Sequence, residues 1–263
     1  MRFIAYGCSY TQGAELADDW LSGKHHNTID KEKRETSVHK FYKQYTKGMR
    51  KGMFDPEYVR RMNDKSYAGE IARTLKVDEY INRGAAGNTN KAMFLDVAQD
   101  IQSGFIKKDD IIFVGLTSSD RYTWFHNGRT HHGQAGGGSW PSETVKKVII
   151  GTWTDDDFSY ETILAVRALR DLLQDYKFFY QTVHFPFSDM PYKTSLTESV
   201  LKELTDIDKR SVIPGYSLWR EVALNKDLPD PPQHGYEHPK VEVATAFGRN
   251  VGNAIRVRLG LKK

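Results

Sequence analysis

The chain has 263 residues, of which 39% are hydrophobic and 12% aromatic, so it can bury one large core and is not a disordered chain. Its single cysteine, Cys8, excludes an intrachain disulfide and is typical of a reducing compartment. Because no apolar run approaches the roughly 20 residues that span a bilayer, and the start does not resemble a leader peptide, we expect a soluble, cytoplasmic protein.

The net charge of +4 is unevenly distributed along the chain. Residues 24–63 carry eleven Lys or Arg against five Asp or Glu, a local balance of +6. This pattern is typical of a solvated surface excursion, and the alternative is a surface that binds a polyanion such as nucleic acid. No nucleic-acid-binding motif accompanies the charge, so we do not expect nucleic acid as a partner.

Apolar strand patterns alternate with amphipathic helix patterns through the first half of the chain. The predicted elements are, in order, a strand over residues 3–6, a helix over residues 67–75 capped near Asp64 or Ser66, a strand over residues 79–82, a helix from Met93 to Ile101, and a strand over residues 111–115.

The alternation pauses over residues 122–157, which are rich in Gly, Trp, His and Thr and predict a loop or small β element. It then resumes with a helix over residues 160–173, a strand over residues 177–183, a helix over about 195–204, a short strand at Val212-Ile213, and a last helix over about 240–259. We therefore predict one α/β domain over residues 1–263, with a doubly wound, flavodoxin-like, mainly parallel sheet, helices on both faces, and excursions at about 24–63 and 122–157.

Segments from distant parts of the chain are expected to meet at the carboxyl edge of this sheet, where open α/β sheets bind ligands. The small residue Gly7 permits a sharp turn that places Ser9 at this edge. The other segments are Gly87-Asn88 after the second strand, Thr117-Ser118-Ser119 after the third, and His238 before the last helix.

These segments resemble the motif blocks of the SGNH or GDSL hydrolases over nearly the whole chain outside the two excursions. The run Gly7-Cys8-Ser9-Tyr10-Thr11 is similar to the family's Gly-Asp-Ser turn, with Cys8 in the Asp position. Residues 82–89 resemble its Asn-x-Gly-x-x-Gly-x-Thr block, and His238-Pro239 matches the His-Pro of its last block. The first and third blocks also resemble SGNH-like proteins of tailed phages, which would place the protein in the host cytoplasm or the virion.

The resemblance implies a serine esterase or carbohydrate deacetylase that uses no cofactor and no metal. In such an enzyme Ser9 is the nucleophile, His238 is the general base, and the backbone N–H groups of Ser9 and Gly87 bind the oxyanion. The expected substrate is a small ester, such as an O-acetyl group on a carbohydrate.

Two blocks depart from the family pattern. The third block lacks the family's Asn, which leaves the Thr117 or Ser118 hydroxyl, or the Asn88 side chain, as candidates for a further oxyanion donor. The family's Asp before the catalytic His falls on Gly235. The candidates for orienting the imidazole are Glu237, Asp230 or a backbone carbonyl, and the alternative is a Ser-His dyad.

Alternative interpretations of several residues stay open. His234 is a rival base, His184 is either a binding residue or a structural one, and Cys8 is a rival nucleophile. The tryptophans and aspartates of the second excursion indicate a folded lid, with stacking on a sugar as the alternative. The adjacent histidine pairs lack a carboxylate at ligand spacing, so we expect no metal; these histidines are His25, His26, His131 and His132, with His126 nearby.

The departures also leave a second class of function open. In that class the chain keeps the fold as a catalytically impaired binding protein or a virion-associated structural protein, with contacts to a virion or an oligomer. A third class is a polyanion-binding module built on residues 24–63.

Overall fold

The computed structural model describes residues 1–13, 56–85, 87–126, 129–134, 147, 149, 151–184, 186–190, 193–224 and 240–261. The strands are β1 (Arg2–Tyr6), β2 (Glu79–Asn82), β3 (Ile111–Leu116), β4 (Arg121–His126), β5 (Arg129–Gln134) and β6 (Lys177–Thr182). The helices are α1 (Ser9–Gln12), α2 (Pro56–Lys65), α3 (Tyr67–Leu75), α4 (Asn90–Gln102), α5 (Asp155–Leu172), α6 (Glu198–Arg210), α7 (Leu218–Leu224) and α8 (Val241–Arg258).

Four strands form one parallel sheet in the order β2-β1-β3-β6. In register, Ile4 of β1 lies between Ile81 of β2 and Ile112 of β3. Counted along the parallel strands alone, the order is 2-1-3-4, the beginning of the flavodoxin-like order. The predicted doubly wound α/β fold is therefore confirmed, and β1 is a central strand whose end faces the crevice at the carboxyl edge.

Helices cover both faces of this sheet. On one face, the Phe113 ring of β3 lies 6.2 Å from the Tyr67 ring of α3, which lies 5.2 Å from the Phe247 ring of α8. On the other face, the Tyr6 hydroxyl of β1 donates a hydrogen bond of 2.7 Å to the Asp100 carboxylate of α4. Every residue of β3 is buried, which explains why this strand reads as a continuous apolar run.

The helix predicted over about 195–204 begins later and ends later, at Glu198 and Arg210. Its start is delayed because residues Lys193–Ser195 form a 3₁₀ turn and the Thr197 N–H donates to the Asp156 carboxylate at 2.9 Å. Its end moves on because buried Ile207 continues the apolar face beyond the predicted boundary.

The strand predicted at Val212-Ile213 is wrong, because these residues lie in a bend. The Val212 N–H donates to the Tyr180 carbonyl at 3.0 Å, as a strand residue would. The Ile213 N–H, however, donates to the side-chain oxygen of Gln181 at 2.8 Å. A side chain thus takes the place of the next backbone partner, and the ladder ends after one bond.

The second excursion is smaller than predicted. Its β element is the antiparallel hairpin of β4 and β5, and α5 already begins at Asp155 instead of residue 160. Thr154 and Asp157 form a capping box, so the aspartates of residues 155–157 make the first turn of a helix, where negative charge is favourable. They do not belong to a lid. Most of the first excursion, and residues 135–146 of the second, lie outside the described residues.

Candidate active site

Ser9 lies where the end of β1 turns into α1. A Cβ atom added at Gly7 would lie 1.7 Å from the Thr11 Oγ1 atom, so a side chain at this position would clash with Thr11. Ser9 is 9% exposed, whereas Cys8 is fully buried. Of the two candidate nucleophiles, Ser9 is therefore the residue that solvent reaches.

Thr11 ties this turn to the strands and the helix around it. Its buried hydroxyl is hydrogen-bonded to the Tyr67 hydroxyl of α3, and its carbonyl accepts a hydrogen bond of 2.8 Å from the Asn82 side chain at the end of β2. On β3, a Cβ atom at Gly115 would lie 2.0 Å from the Tyr67 hydroxyl. Burial raises the pKa of Tyr67 well above its usual value, so the phenol stays a neutral hydrogen-bonding group.

The loop after β2 is bonded directly to this turn. The Ala85 N–H donates to the Gly7 carbonyl at 3.0 Å, and the Asn88 N–H donates to the Ala85 carbonyl at 3.1 Å. Between them Gly87 has a φ of +78°, a conformation that favours glycine. Among the described residues, no atom lies within 4 Å of a Cβ atom added at Gly87.

The Asn88 side chain is engaged within its own loop and helix. It is 5% exposed; its amide donates to the Asp96 carboxylate of α4 at 3.2 Å, and its carbonyl oxygen accepts from the Thr89 N–H at 3.2 Å. Burial raises the pKa of Asp96 although the hydrogen bond from Asn88 lowers it. Asn88 is thus anchored to α4.

Asn90 holds the loop after β3, a role that sequence reasoning missed. Its side-chain oxygen accepts from the Thr117 N–H at 2.9 Å, and its amide donates to the Thr117 carbonyl at 3.0 Å and to the Thr162 hydroxyl at 2.9 Å. The only signal in the sequence is a polar residue in the first turn of a helix that packs against apolar strands.

The three hydroxyl residues of this loop differ in exposure. Thr117 is fully buried, and within the described part of the chain its hydroxyl has no hydrogen-bond partner. Ser119 is also buried, and its hydroxyl lies 3.1 Å from the Met190 sulfur. Ser118 is half-buried and is the most exposed of the three residues.

The β4–β5 hairpin is attached beside the loop after β2. The Thr123 hydroxyl is hydrogen-bonded to that of Thr89, and the Thr123 N–H donates to the Glu161 carboxylate at 3.3 Å. Lys91 pairs with Glu161 at 2.7 Å. One more contact comes from Arg121, which donates to the Asn88 carbonyl at 3.3 Å.

His184 lies at the carboxyl end of β6. Its ring packs edge-to-face on Tyr10, the neighbour of Ser9, with 4.8 Å between the ring centroids. His184 is half-buried. The structure therefore brings this histidine to the edge where Ser9 lies.

The other predicted acid and base residues lie outside the described residues; they are His238, Glu237, His234 and Asp230. Within the described part of the chain, no group of three or more His, Cys, Asp or Glu side chains is placed to hold a metal ion. Of the helices described, none has both the length and the apolarity needed to cross a membrane.

No protein-family model and no curated protein matches this chain. Among solved structures, it is similar to a lipolytic protein of the G-D-S-L family from Desulfitobacterium hafniense, with 13% identity, 96% of this chain and 98% of that chain covered, and a TM-score of 0.43. A second G-D-S-L lipolytic protein, from Veillonella parvula, has 11% identity, coverage of 98% and 99%, and a TM-score of 0.48.

An acetyl xylan esterase from the rumen bacterium Butyrivibrio proteoclasticus has 11% identity, with 100% of this chain and 64% of that chain covered, and a TM-score of 0.45. The first two proteins carry the name of the family that the sequence blocks resemble. The fold described above is established by the strand order and register of the chain itself.

Proposed function

We propose that the protein is a serine hydrolase of small esters, with Ser9 as the nucleophile. The observation that carries the proposal is the position of Ser9. It follows a central parallel strand, in a turn where a side chain at Gly7 would clash with Thr11, and the Gly7 carbonyl accepts a hydrogen bond from Ala85 in the loop of Gly87. Nucleophilic catalysis requires a fixed hydroxyl next to preorganised N–H donors, and we infer that the backbone N–H groups of Ser9 and Gly87 are those donors.

In the proposed reaction the Ser9 Oγ attacks the ester carbonyl while His238 takes its proton. The resulting oxyanion accepts hydrogen bonds from the backbone N–H groups of Ser9 and Gly87, each worth about 3 kcal/mol in comparable sites. The intermediate collapses when His238 gives the proton to the leaving alcohol. Water, deprotonated by the same histidine, then attacks the acyl-enzyme and releases the acid and free Ser9.

Ser118 is our candidate for a third oxyanion donor. Ser118 is half-buried, whereas Thr117 is fully buried and the Asn88 amide already donates to Asp96. The low exposure of Ser9 favours a short acyl group, because a long acyl chain needs an open groove beside the nucleophile. An O-acetyl group on a carbohydrate fits this requirement and the family resemblance.

The test is hydrolysis of 4-nitrophenyl acetate by the wild type and by Ser9→Ala. We expect Ser9→Ala to lower kcat at least about 10³-fold with little change in Tm, because the hydroxyl acts only in the reaction. The matched control is Ser199→Ala on the exposed face of α6, which should keep full activity. Equal rates for the wild type and Ser9→Ala would reject the nucleophile.

The same assay separates the candidate bases. His238→Ala should abolish turnover, whereas His234→Ala should keep most of it. Because His184 packs on Tyr10, His184→Ala is the informative comparison. Loss of activity in His184→Ala, with activity retained in His238→Ala, would identify His184, which follows β6, as the general base.

A second candidate function is that of a binding or virion-associated protein in which catalysis has been lost. The observation that favours it is the loop after β3, where burial removes the Thr117 hydroxyl from any substrate. No Ser9-dependent turnover of any small ester would make this the leading function.

A further inference from the structure

Arg121 places a cation beside the proposed oxyanion site. It is the first residue of β4, it is half-buried, and its Nη1 atom donates to the carbonyl of Asn88, the residue that follows Gly87. Its Nε atom is buried and has no hydrogen-bond partner within the described part of the chain. A guanidinium has five N–H donors, so most of its hydrogen-bonding capacity is unused.

Neighbouring cations at this edge are neutralised. Arg83 pairs with the Asp100 carboxylate at 2.6 Å, and Lys91 pairs with the Glu161 carboxylate at 2.7 Å. Arg121 forms no ion pair with any carboxylate of the described residues, and its one hydrogen bond leads to a neutral carbonyl. Half-burying a charge without an anionic partner is unfavourable, and the binding of an anion removes that penalty.

Arg121 is not needed to attach the hairpin. The Thr123 hydroxyl and N–H already connect β4 to α4 and α5, and Lys91 and Glu161 support the same point. The bond from Arg121 to Asn88 is 3.3 Å long, whereas charge-assisted hydrogen bonds are typically about 2.7–2.9 Å. A purely structural role would leave this guanidinium poorly paired.

We propose that Arg121 binds an anionic group of the substrate, so that the preferred esters carry a carboxylate, sulfate or phosphate near the scissile bond. This inference rests on the proposed esterase function, because it places the anion next to the Gly87 peptide. The planar guanidinium matches two oxygens of such a group at once, which a lysine cannot do.

The experiment compares esters that differ only in charge. On the acyl side, the pair is 4-nitrophenyl hydrogen succinate and its neutral methyl ester; on the alcohol side, it is 3-acetoxybenzoate and its methyl ester. We expect the wild type to prefer the anionic member of at least one pair by roughly tenfold in kcat/KM, mainly through KM, since a hydrogen bond to a charged group contributes about 1.5 kcal/mol or more.

Arg121→Gln should bring this preference close to one, and Arg121→Lys should restore only part of it. The matched control is Arg167→Gln, which removes an exposed arginine paired with Glu203 on the surface and should leave the preference unchanged. Competitive inhibition by benzoate, inorganic phosphate and sulfate then distinguishes the three anion types. A wild type without preference in either pair, or a preference that Arg121→Gln retains, would overturn the proposal.

A binding measurement keeps this test separate from the proposed function. If no ester is hydrolysed in a Ser9-dependent way, the esterase proposal fails, and calorimetric titration of Ser9→Ala with succinate, benzoate, phosphate and sulfate decides the role of Arg121. If one of these anions binds to Ser9→Ala, and binds at least about tenfold more weakly to the double variant Ser9→Ala/Arg121→Gln, the result would support an anion site at Arg121. Equal or absent binding in both proteins would reject it.

Discussion

The loops that follow β1 and β3 lie at the same edge of the sheet, and each contains a buried threonine whose hydroxyl is paired in one loop and unpaired in the other. In the first loop, the Thr11 hydroxyl is bonded to Tyr67, and the Thr11 carbonyl is bonded to Asn82. In the second, Asn90 fixes the Thr117 backbone, yet the buried Thr117 hydroxyl has no hydrogen-bond partner among the described residues, and the same is true of the buried Arg121 Nε atom at the start of β4.

This difference indicates that the two loops have different roles in the proposed reaction. A reacting group gains from a turn that cannot move, because misplacement by about 1 Å can lower a rate by about a hundredfold. Groups that bind a substrate must instead keep their donors free until the substrate arrives. The loop after β1 carries Ser9, and the segment from the loop after β3 to the start of β4 carries Ser118 and Arg121.

The largest effect that tests the rigid loop is expected from Gly7→Ala. Its Cβ atom would lie 1.7 Å from Thr11 Oγ1, so the substitution should lower the free energy of unfolding by about 3 kcal/mol or prevent folding. The control is Gly151→Ala, where an added Cβ atom meets no atom of the described residues within 4 Å and stability should change by less than about 0.5 kcal/mol. Urea denaturation measures both, and a Gly7→Ala protein as stable as the wild type would contradict the account of this turn.

The next effect concerns the fixed backbone of the loop after β3. Asn90→Ala leaves the buried Thr117 N–H and carbonyl without partners, which should destabilise the protein by about 2 kcal/mol and lower kcat. Asn250→Ala is the control, because Asn250 makes a single exposed hydrogen bond to Tyr216. Similar losses in the two variants would show that Asn90 does not fix the loop.

The same substitution, threonine to valine, at Thr11 and at Thr117 tests the comparison of the two loops further. Thr11→Val leaves the buried Tyr67 hydroxyl without its partner and should destabilise the protein by about 1–2 kcal/mol. Thr117→Val replaces a buried, unpartnered hydroxyl with a methyl group and should be neutral or stabilising by up to about 1 kcal/mol. Chemical denaturation of both variants at one pH measures these changes. A change of stability in the same direction in both variants would contradict the different pairing of the two hydroxyls.

The smallest expected effect is the pH dependence of the stability that two carboxylates, Asp96 and Asp110, contribute. Burial raises the pKa of Asp96, so its ionisation opposes folding, and Asp96→Asn should increase stability at pH 7 with the gain disappearing as the pH falls below the unfolded pKa.

At Asp110 burial also acts to raise the pKa, but the hydrogen bonds from Arg2 and from the Lys107 N–H, together with the positive charges of both residues, outweigh it and the pKa is lowered. Ionised Asp110 therefore stabilises the fold, and Asp110→Asn should decrease stability at pH 7, with the loss shrinking at low pH. Urea midpoints of both variants between pH 3 and pH 7 check the two signs, and a common sign would contradict the assigned environments.

The sequence predicts what depends on local pattern and topology. The strand at residues 79–82 and the cap at Ser66 were predictable because alternation and capping chemistry are local. The loop after β2 is bonded to the turn before Ser9, from the Ala85 N–H to the Gly7 carbonyl, as expected of parallel strands that end at one edge. The start of α5 at Asp155 is also encoded locally, by the capping pair Thr154 and Asp157. Because the aspartates fall within the predicted second excursion, the predicted helix starts at residue 160 instead.

The remaining features depend on side chains that meet only in the folded chain. Asn90 contacts Thr117, 27 residues away, and the choice between Asn88, Thr117 and Ser118 depends on burial that no periodicity encodes. The roles of His238 and Glu237 stay predictions, as does our expectation that residues 24–63 do not bind nucleic acid. A gel retardation assay at several salt concentrations tests the last of these.

The central claim is that Ser9 is an activated nucleophile, and covalent labelling tests it most directly. Diisopropyl fluorophosphate phosphorylates serine only where a base activates the hydroxyl. We predict a single adduct, located by peptide mass spectrometry on Ser9, absent from Ser9→Ala and formed much more slowly in His238→Ala. An unlabelled wild type, or equal labelling of the wild type and Ser9→Ala, would contradict the account.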